Sequence, residues 1–185
     1  EEWFQGLIHE YVKWAKYLYH HTLRRNESLR ELQFPYEYRT GQKELAVSVY
    51  RALARRRNLF IQAPTGIGKT LSVVYPSLKS MGNGTGEKLF YLTAKTITGS
   101  VAENCFSLLR GQGMLFTTVT VTAKEKLCPM EKTECNPDAC PCAKGHFDRV
   151  NDAVFDIIHE QQGITREILL QYADRYQVCP FEFCL

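Results

Sequence analysis

The sequence lacks any apolar run long enough to cross a lipid bilayer, because polar or charged residues interrupt every hydrophobic stretch before the roughly 18 residues that a spanning helix requires. Its first residues, Glu1-Glu2-Trp3-Phe4, also lack an initiator methionine and the basic-then-apolar pattern of a signal peptide. We therefore expect a soluble protein with no membrane partner. We also expect the chain to be a fragment of a longer protein.

A strong excess of charge of either sign is also missing. Lysine and arginine number 23, aspartate and glutamate 20, and the formal net charge of +3 does not by itself identify a nucleic-acid partner. Cysteine, in contrast, occurs seven times. Because that number is odd and no secretion signal is present, we expect reduced thiols that are free to bind metal instead of a disulfide framework.

Hydrophobic periodicity predicts a chain in which helices and strands alternate. Helices are predicted over residues 3–23, 45–57, 69–78, 101–109, 147–160 and 165–176, and strands over residues 58–64, 89–93 and 115–121. Pro76 is expected to kink or end its helix. Such alternation is typical of the α/β class, with helices on both faces of a parallel sheet. The predicted parts are an N-terminal helical segment (1–33), a partial α/β domain (34–123) and a cysteine-rich, mainly helical domain (124–185).

The segment from Ala63 to Thr70, APTGIGKT, matches the Walker A phosphate-binding pattern except that alanine replaces its first glycine. Glycines let successive backbone N–H groups approach phosphate oxygens, and the helix that starts near Lys69 directs its positive dipole end at the same anion. We expect Lys69 to contact the β- and γ-phosphates and the Thr70 hydroxyl to ligate Mg²⁺, which makes these two the candidate catalytic residues. The candidate ATP-binding residues of the loop are Thr65, Gly66, Ile67, Gly68, Lys69 and Thr70.

This loop closely resembles that of superfamily 2 nucleic-acid helicases, and the earlier segment FPYEYRTGQ resembles their Q motif. Gln42 suits that motif because its amide offers a donor and an acceptor to the adenine edge at once, and Arg39 is a second candidate nucleotide contact. The segment FYLTAKTITG, residues 90–99, takes the place of motif Ia, which meets a single-stranded nucleic-acid backbone. Thr93 and Lys95 are the DNA-contact candidates, with a strand cap and a solvated lysine as the structural alternative.

Six of the seven cysteines lie in the last third of the chain. Zinc sites typically pair cysteines as C-x₂₋₄-C, whereas this sequence reads C-x₆-C-x₄-C and then a distant cysteine before proline, in VCPFEF. Proline beside a ligand cysteine is a feature of iron–sulfur sites, and a 4Fe–4S cluster takes four thiolates. The predicted ligands are Cys128, Cys135, Cys140 and Cys179. Cys142 competes with Cys140, the role of Cys184 is open, and Cys105 is expected to be a small core residue.

In their order, the Q motif, APTGIGKT, YLTAKT, KEKLC and CPF resemble the XPD-like and DinG-like iron–sulfur DNA helicases over residues 34–185, and AKGHFDRVNDA is especially similar to bacterial members. The resemblance implies a RecA-like P-loop NTPase motor domain with an inserted 4Fe–4S domain. It implies an ATP-dependent enzyme that moves 5′ to 3′ on single-stranded DNA and unwinds duplexes at single-strand junctions, as in DNA repair. It further implies a monomer in the bacterial cytoplasm, associated with the nucleoid.

The sequence departs from that family in two ways. It has no Asp-Glu dipeptide, which would hold Mg²⁺ and activate water, and it has no second motor domain. We therefore expect the fragment alone to bind nucleotide weakly and to hydrolyse none. One alternative is a zinc-stabilised nucleic-acid-binding module with a non-hydrolysing phosphate loop, and another is a P-loop enzyme that acts on small molecules. The basic residues near the cysteines either guide a DNA strand or form a solvated face; they are Lys124, Lys126, Lys144 and Arg149.

Overall fold

The computed structural model describes residues 2–94 and 96–185, and in residues 96–98 it describes the backbone alone. The helices of this part of the chain are α1 (Glu2–Glu31), α2 (Gln42–Ala54), α3 (Lys69–Gly82), α4 (Thr96–Arg110), α5 (Lys124–Leu127), α6 (His146–Glu160), α7 (Arg166–Tyr176) and α8 (Pro180–Cys184), and the strands are β1 (Thr118–Val119) and β2 (Gly163–Ile164). The chain divides into two compact units, Glu1–Phe116 and Thr117–Leu185. No described helix is both long and apolar enough to cross a membrane.

The first unit is built around a helical core. Helices α1 and α2 both pack on α3, where Val74, Leu78 and Met81 recur at the three- and four-residue spacing that puts side chains on one helix face. Leu29 of α1 and Leu32 just after it are buried in the same core. Because burial of one leucine contributes about 2 kcal/mol relative to exposure, these contacts fix the C-terminal end of α1 on α3.

Two helices of the first unit begin at a glycine with a left-handed backbone. Gly41 precedes α2 with φ of 77°, and Gly68 precedes α3 with φ of 80°. Neither helix has a side-chain hydrogen bond at its N-cap, although the first N–H groups of a helix have no partner within it. The first turn of α3 therefore offers backbone donors at the position where the sequence predicts phosphate binding.

All six predicted helices are present, with ends that differ from the predicted ones. Helix α1 runs on to Glu31 instead of ending at residue 23. Pro76 lies inside α3, which continues to Gly82, so the prediction that it could end the helix was wrong. The buried residues on both sides of Pro76 explain this continuation, since tertiary packing outweighs the lost backbone hydrogen bond.

The strands predicted at residues 58–64 and 89–93 are not strands in the described part of the chain. Their side chains keep the two-residue alternation in part: Leu89 and Tyr91 pack against the first core, whereas Leu92 is 88% exposed. Both segments have the residue composition of strands, but no described segment pairs with either of them. A single strand without a partner is not stable, because its backbone groups stay unpaired. The RecA-like motor fold therefore stays a prediction.

The second unit contains a short parallel sheet and its own helical core. Strand β1 covers only Thr118–Val119 of the strand predicted at residues 115–121, and it pairs with β2 in the register Thr118 to Gly163 and Val119 to Ile164. Its core joins α5, α6, α7 and α8 through buried apolar side chains, among them Leu127, Ala153, Ile157, Leu169, Val178 and Phe183. The second unit, which contains six of the seven cysteines, thus has a hydrophobic core of its own.

Candidate functional site

The predicted nucleotide-binding residues of the first unit lie together, although they come from two separate segments. The Arg39 guanidinium donates to the carbonyl oxygen of Gly66, with 2.6 Å between Nη1 and O. The Arg39 backbone N–H donates to Oε1 of Gln42 at 3.0 Å. Folding therefore brings the arginine and glutamine of FPYEYRTGQ against the phosphate loop, across a separation of 27 residues in sequence.

Gln42 packs directly on the last glycine of the loop. Its side chain is 4% exposed, and a Cβ atom at Gly68 would lie 2.5 Å from the Gln42 Nε2 atom. The amide therefore rests against the start of α3, where its carbonyl oxygen already accepts from Arg39. Pairing of this amide with adenine stays a prediction.

Substitution of Gly68 by alanine is expected to disrupt the loop for two reasons. The added methyl group would clash with Gln42, and φ of +80° is strained for any residue with a Cβ. We expect a loss of about 1 to 3 kcal/mol in the free energy of unfolding, measured by chemical denaturation. The matched control is Gly66→Ala, at φ of +85° with no atom within 4 Å of the added Cβ. An equal effect of both changes would show that backbone strain alone matters.

The lysine of the loop is turned back on the loop itself. Lys69 Nζ donates to the carbonyl oxygens of Ala63 and Pro64, at 3.2 and 2.8 Å. Thr65 is exposed and Ile67 is half-buried. The loop therefore has a closed arrangement in which its ammonium group is satisfied by backbone oxygens.

Thr70 is connected to the segment that was predicted to meet DNA. Its Oγ1 atom lies 3.2 Å from the hydroxyl oxygen of Tyr91. Thr93 follows two residues later and is exposed, whereas Lys95 lies outside the described residues. The sequence predicted Thr70 as a site residue but gave no reason to select Tyr91, because only the folded chain brings the two hydroxyls together.

In the second unit, five of the seven cysteines line one cavity of about 320 Å³. They are Cys128, Cys135, Cys140, Cys142 and Cys179. All four predicted ligands are among them, and so is Cys142, the competitor of Cys140. The cavity brings together thiols from the start of the cysteine-rich segment and from the beginning of α8.

The thiols of this cavity influence one another. The pKa of the Cys142 thiol is raised, mainly by burial and then by the neighbouring thiols of Cys140, Cys179 and Cys128. No group of three or more histidine, cysteine, aspartate or glutamate side chains among the described residues is arranged to hold a metal ion. Thiolates bind both zinc and iron–sulfur clusters, and the five cavity cysteines are enough to supply the four thiolates that either group takes.

The two remaining cysteines are core residues. Cys105 belongs to the core of the first unit, where burial raises the pKa of its thiol to about 11, and its predicted role as a small core residue is confirmed. Cys184, whose role the sequence left open, is buried in the core of the second unit. Neither residue lines the cavity.

Two residues that the sequence did not select as ligand-site residues also line the cavity. His146 is 6% exposed, and its Nδ1 atom accepts a hydrogen bond from the backbone N–H of Cys179 at 3.2 Å. Lys124 hydrogen-bonds to Cys135, which raises the pKa of its ammonium group, and its Nζ lies 5.3 Å from the ring centroid of Phe181. The sequence does not reveal the pairing of His146 with Cys179 or of Lys124 with Cys135, because both pairs form only when the chain folds.

Replacement of His146 by leucine is expected to destabilise the second unit, because the N–H of Cys179 then loses its acceptor. A buried donor without a partner costs about 1 to 3 kcal/mol, measurable as a lower free energy of unfolding of the metal-free chain. His146→Asn supplies an oxygen in place of Nδ1 and serves as the matched control. Equal losses in the two variants would show that ring packing, not the hydrogen bond, is the contribution of His146.

The basic residues near the cavity have different environments. Arg149 donates to the backbone carbonyl oxygens of Tyr176, Lys144 and Gln177, at 2.9, 2.8 and 2.6 Å. Its guanidinium group therefore joins α6 to the end of α7, a structural role. Lys126 and Lys144 have exposed side chains, as a solvated face or a phosphate contact would require.

The comparisons with known proteins give one short match. A segment of 47 residues, 25% of this chain, is 43% identical to a probable ATP-dependent helicase of Methanocaldococcus jannaschii. The match spans 7% of the length of that protein. No family model matches the chain, and no solved structure gives a significant match. A helicase relationship is thus supported over a limited segment.

Proposed function

We propose that this chain is part of an ATP-dependent DNA helicase. The observation that carries the proposal is the hydrogen bond from Arg39 to the carbonyl oxygen of Gly66, which joins the Q-motif-like segment to the phosphate loop. A glycine turn without a binding function would have no need of contacts with an arginine and a glutamine from a distant segment. The short match to a probable ATP-dependent helicase supports the same function.

In this proposal the triphosphate binds at the start of α3. Backbone N–H groups of Thr65, Gly66, Ile67 and Gly68 contact phosphate oxygens, and the helix dipole favours the negative charge there. Lys69 would exchange its loop carbonyl oxygens for the β- and γ-phosphates, and the Thr70 hydroxyl would be a ligand for Mg²⁺. Phosphoryl transfer then depends on positioning and electrostatics more than on covalent help from the protein.

The cysteine cavity of the second unit is proposed to hold a 4Fe–4S cluster. Cys128, Cys135, Cys140 and Cys179 would bind it, and the cluster would supply a cross-link among loops that contain little regular structure. Cys142 would lie beside the cluster as a free thiol. We propose a structural role for the cluster, because the described residues that line the cavity include no evident electron partner.

DNA is the proposed polymer substrate of the complete enzyme. Thr93 and Lys95 would contact a single strand near the nucleotide site, and the enzyme would act as a monomer at junctions between duplex and single strand. Movement 5′ to 3′ and a role in DNA repair follow from the family resemblance. The exposed Lys126 and Lys144 would add phosphate contacts near the cysteine cavity.

The test combines two measurements on the chain purified without oxygen. A fluorescent ATP analogue should bind in the presence of Mg²⁺, and competition by unlabelled ATP should displace it. Iron and sulfide should be present in the amounts that one 4Fe–4S cluster per chain requires, with a brown colour. A colourless protein with one zinc ion per chain would favour the zinc-stabilised binding module. Absence of nucleotide binding would contradict the helicase proposal.

A further inference from the structure

Tyr91 is partly buried and packs against the core of the first unit. Its side chain and that of Leu89 pack against the buried cluster of α1, α3 and α4, whereas the intervening Phe90 is exposed. The inward direction of Tyr91 follows from the two-residue alternation of an extended segment. Its ring therefore reaches the first turn of α3 from the core side, and its hydroxyl oxygen lies 3.2 Å from Thr70 Oγ1.

The chemistry of a metal-bound hydroxyl determines the direction of this hydrogen bond. A threonine oxygen that coordinates Mg²⁺ uses a lone pair for the cation, so its proton must be donated elsewhere. Within the described part of the chain, the oxygen of Tyr91 is an acceptor within reach of that proton. Donation from Thr70 to Tyr91 would fix the hydroxyl rotor and would leave the lone pairs of Oγ1 free for a metal ion.

We propose that Tyr91 is a positioning residue for Mg²⁺ binding, acting through the hydroxyl of Thr70. The inference rests on the proposed function, because it concerns the metal that accompanies the nucleotide. Tyr91 contacts neither the metal nor the phosphates in this role. It selects one rotamer of Thr70 and one direction for the hydroxyl proton. This lowers the entropy cost of ordering the Thr70 side chain when the metal binds.

The test is Tyr91→Phe, which removes the hydroxyl and retains the ring that packs on the core. Affinity for the fluorescent ATP analogue is measured for the whole chain with saturating Mg²⁺ and again with EDTA. We expect the affinity with Mg²⁺ to fall about fivefold, the effect of one lost hydrogen bond. The affinity in EDTA should be unchanged, because the backbone donors of the loop do not involve Tyr91.

Tyr75→Phe is the matched control. Tyr75 also packs against the first core, but its hydroxyl donates to the carbonyl oxygen of Leu32 at 3.3 Å, away from the phosphate loop. This variant should keep the wild-type affinity in both conditions. A general effect of losing one tyrosine hydroxyl would instead appear in both variants and would overturn the proposal.

The remaining outcomes separate this inference from the proposed function. If Tyr91→Phe weakens binding equally with Mg²⁺ and with EDTA, the hydroxyl supports the loop and does not act on the metal. Unchanged or tighter binding with Mg²⁺ would also overturn the proposal, since the tyrosine would then be neutral or would hold Thr70 away from the metal. Failure of the wild-type chain to bind nucleotide in either condition would instead contradict the proposed function itself.

Discussion

Replacement of Lys69 by alanine is expected to abolish ATP turnover in the complete helicase of which we propose this chain to be a part. The ammonium group is the charge proposed to neutralise the β- and γ-phosphates as the bond between them breaks. Loss of one preorganised donor costs a protease about 10²- to 10³-fold in rate, and we expect the loss of a full positive charge at the transferred phosphate to cost at least as much and to leave no measurable turnover. The measurement is phosphate release in the presence of single-stranded DNA.

The fold should tolerate this change. Lys69 is exposed, and among the described residues it donates to carbonyl oxygens of its own loop, so the free energy of unfolding should stay close to that of the wild type. Lys43→Ala is the matched control, because it removes an exposed lysine from the first turn of α2. Wild-type turnover in the Lys69→Ala variant would show that Lys69 does not have the assigned role.

Replacement of Cys179 by serine is expected to have the largest effect on the second unit. If Cys179 is a cluster ligand, the anaerobically purified variant should lose the brown colour and most of its iron, because a serine hydroxyl is a poorer ligand for iron than a thiolate. Loss of the cross-link should also speed hydrogen exchange in residues 117–185. Iron analysis and visible absorption measure the first effect.

Cys142→Ser is the control for that experiment. Cys142 lines the same cavity and is the competitor of Cys140 as a ligand. Retained colour in Cys142→Ser together with lost colour in Cys179→Ser would support the assigned ligand set. The reverse result would place Cys142 among the ligands and exclude Cys179. Retained colour in both variants would require a ligand set without either cysteine.

The six longer helices could be predicted from the sequence because their signals are local, whereas the short helices α5 and α8 were not predicted. Apolar residues at three- and four-residue spacing define a face whether or not a partner has been identified. The ends of the helices were harder to predict. Helix α1 extends to Glu31 because Leu29 is buried against α3, and this contact depends on a segment more than forty residues away.

Strands could be predicted only as candidates, since a strand needs a partner at the correct distance and register. The segment around Phe60, whose side chain is 95% exposed, has the composition of a buried strand but no pairing among the described residues. Strand β1 did find a partner, and that partner is β2 of the cysteine-rich part of the chain. The sequence had assigned the β1 segment to the α/β domain, and its periodicity contains no information about this choice.

The candidate sites show a similar division. Motif spacing selected the candidate phosphate loop, Gln42 and the cysteines that share the cavity, because the chemistry predicted for them depends on residue type and order. It did not identify Tyr91 or His146. Both act through hydrogen bonds between segments that are distant in sequence, and tyrosine and histidine are common enough that their identity alone is not informative.

The two internal hydrogen bonds of Lys69 have a consequence for discrimination among nucleotides. Any ligand that recruits this ammonium group must first compete with the oxygens of Ala63 and Pro64. In the proposed function, a triphosphate would offer Lys69 several oxygens of greater negative charge than the single phosphate of AMP, and charged acceptors form stronger hydrogen bonds than neutral ones. If the loop binds nucleotide as proposed, these peptide carbonyl oxygens would favour ligands with more phosphate groups over those with fewer.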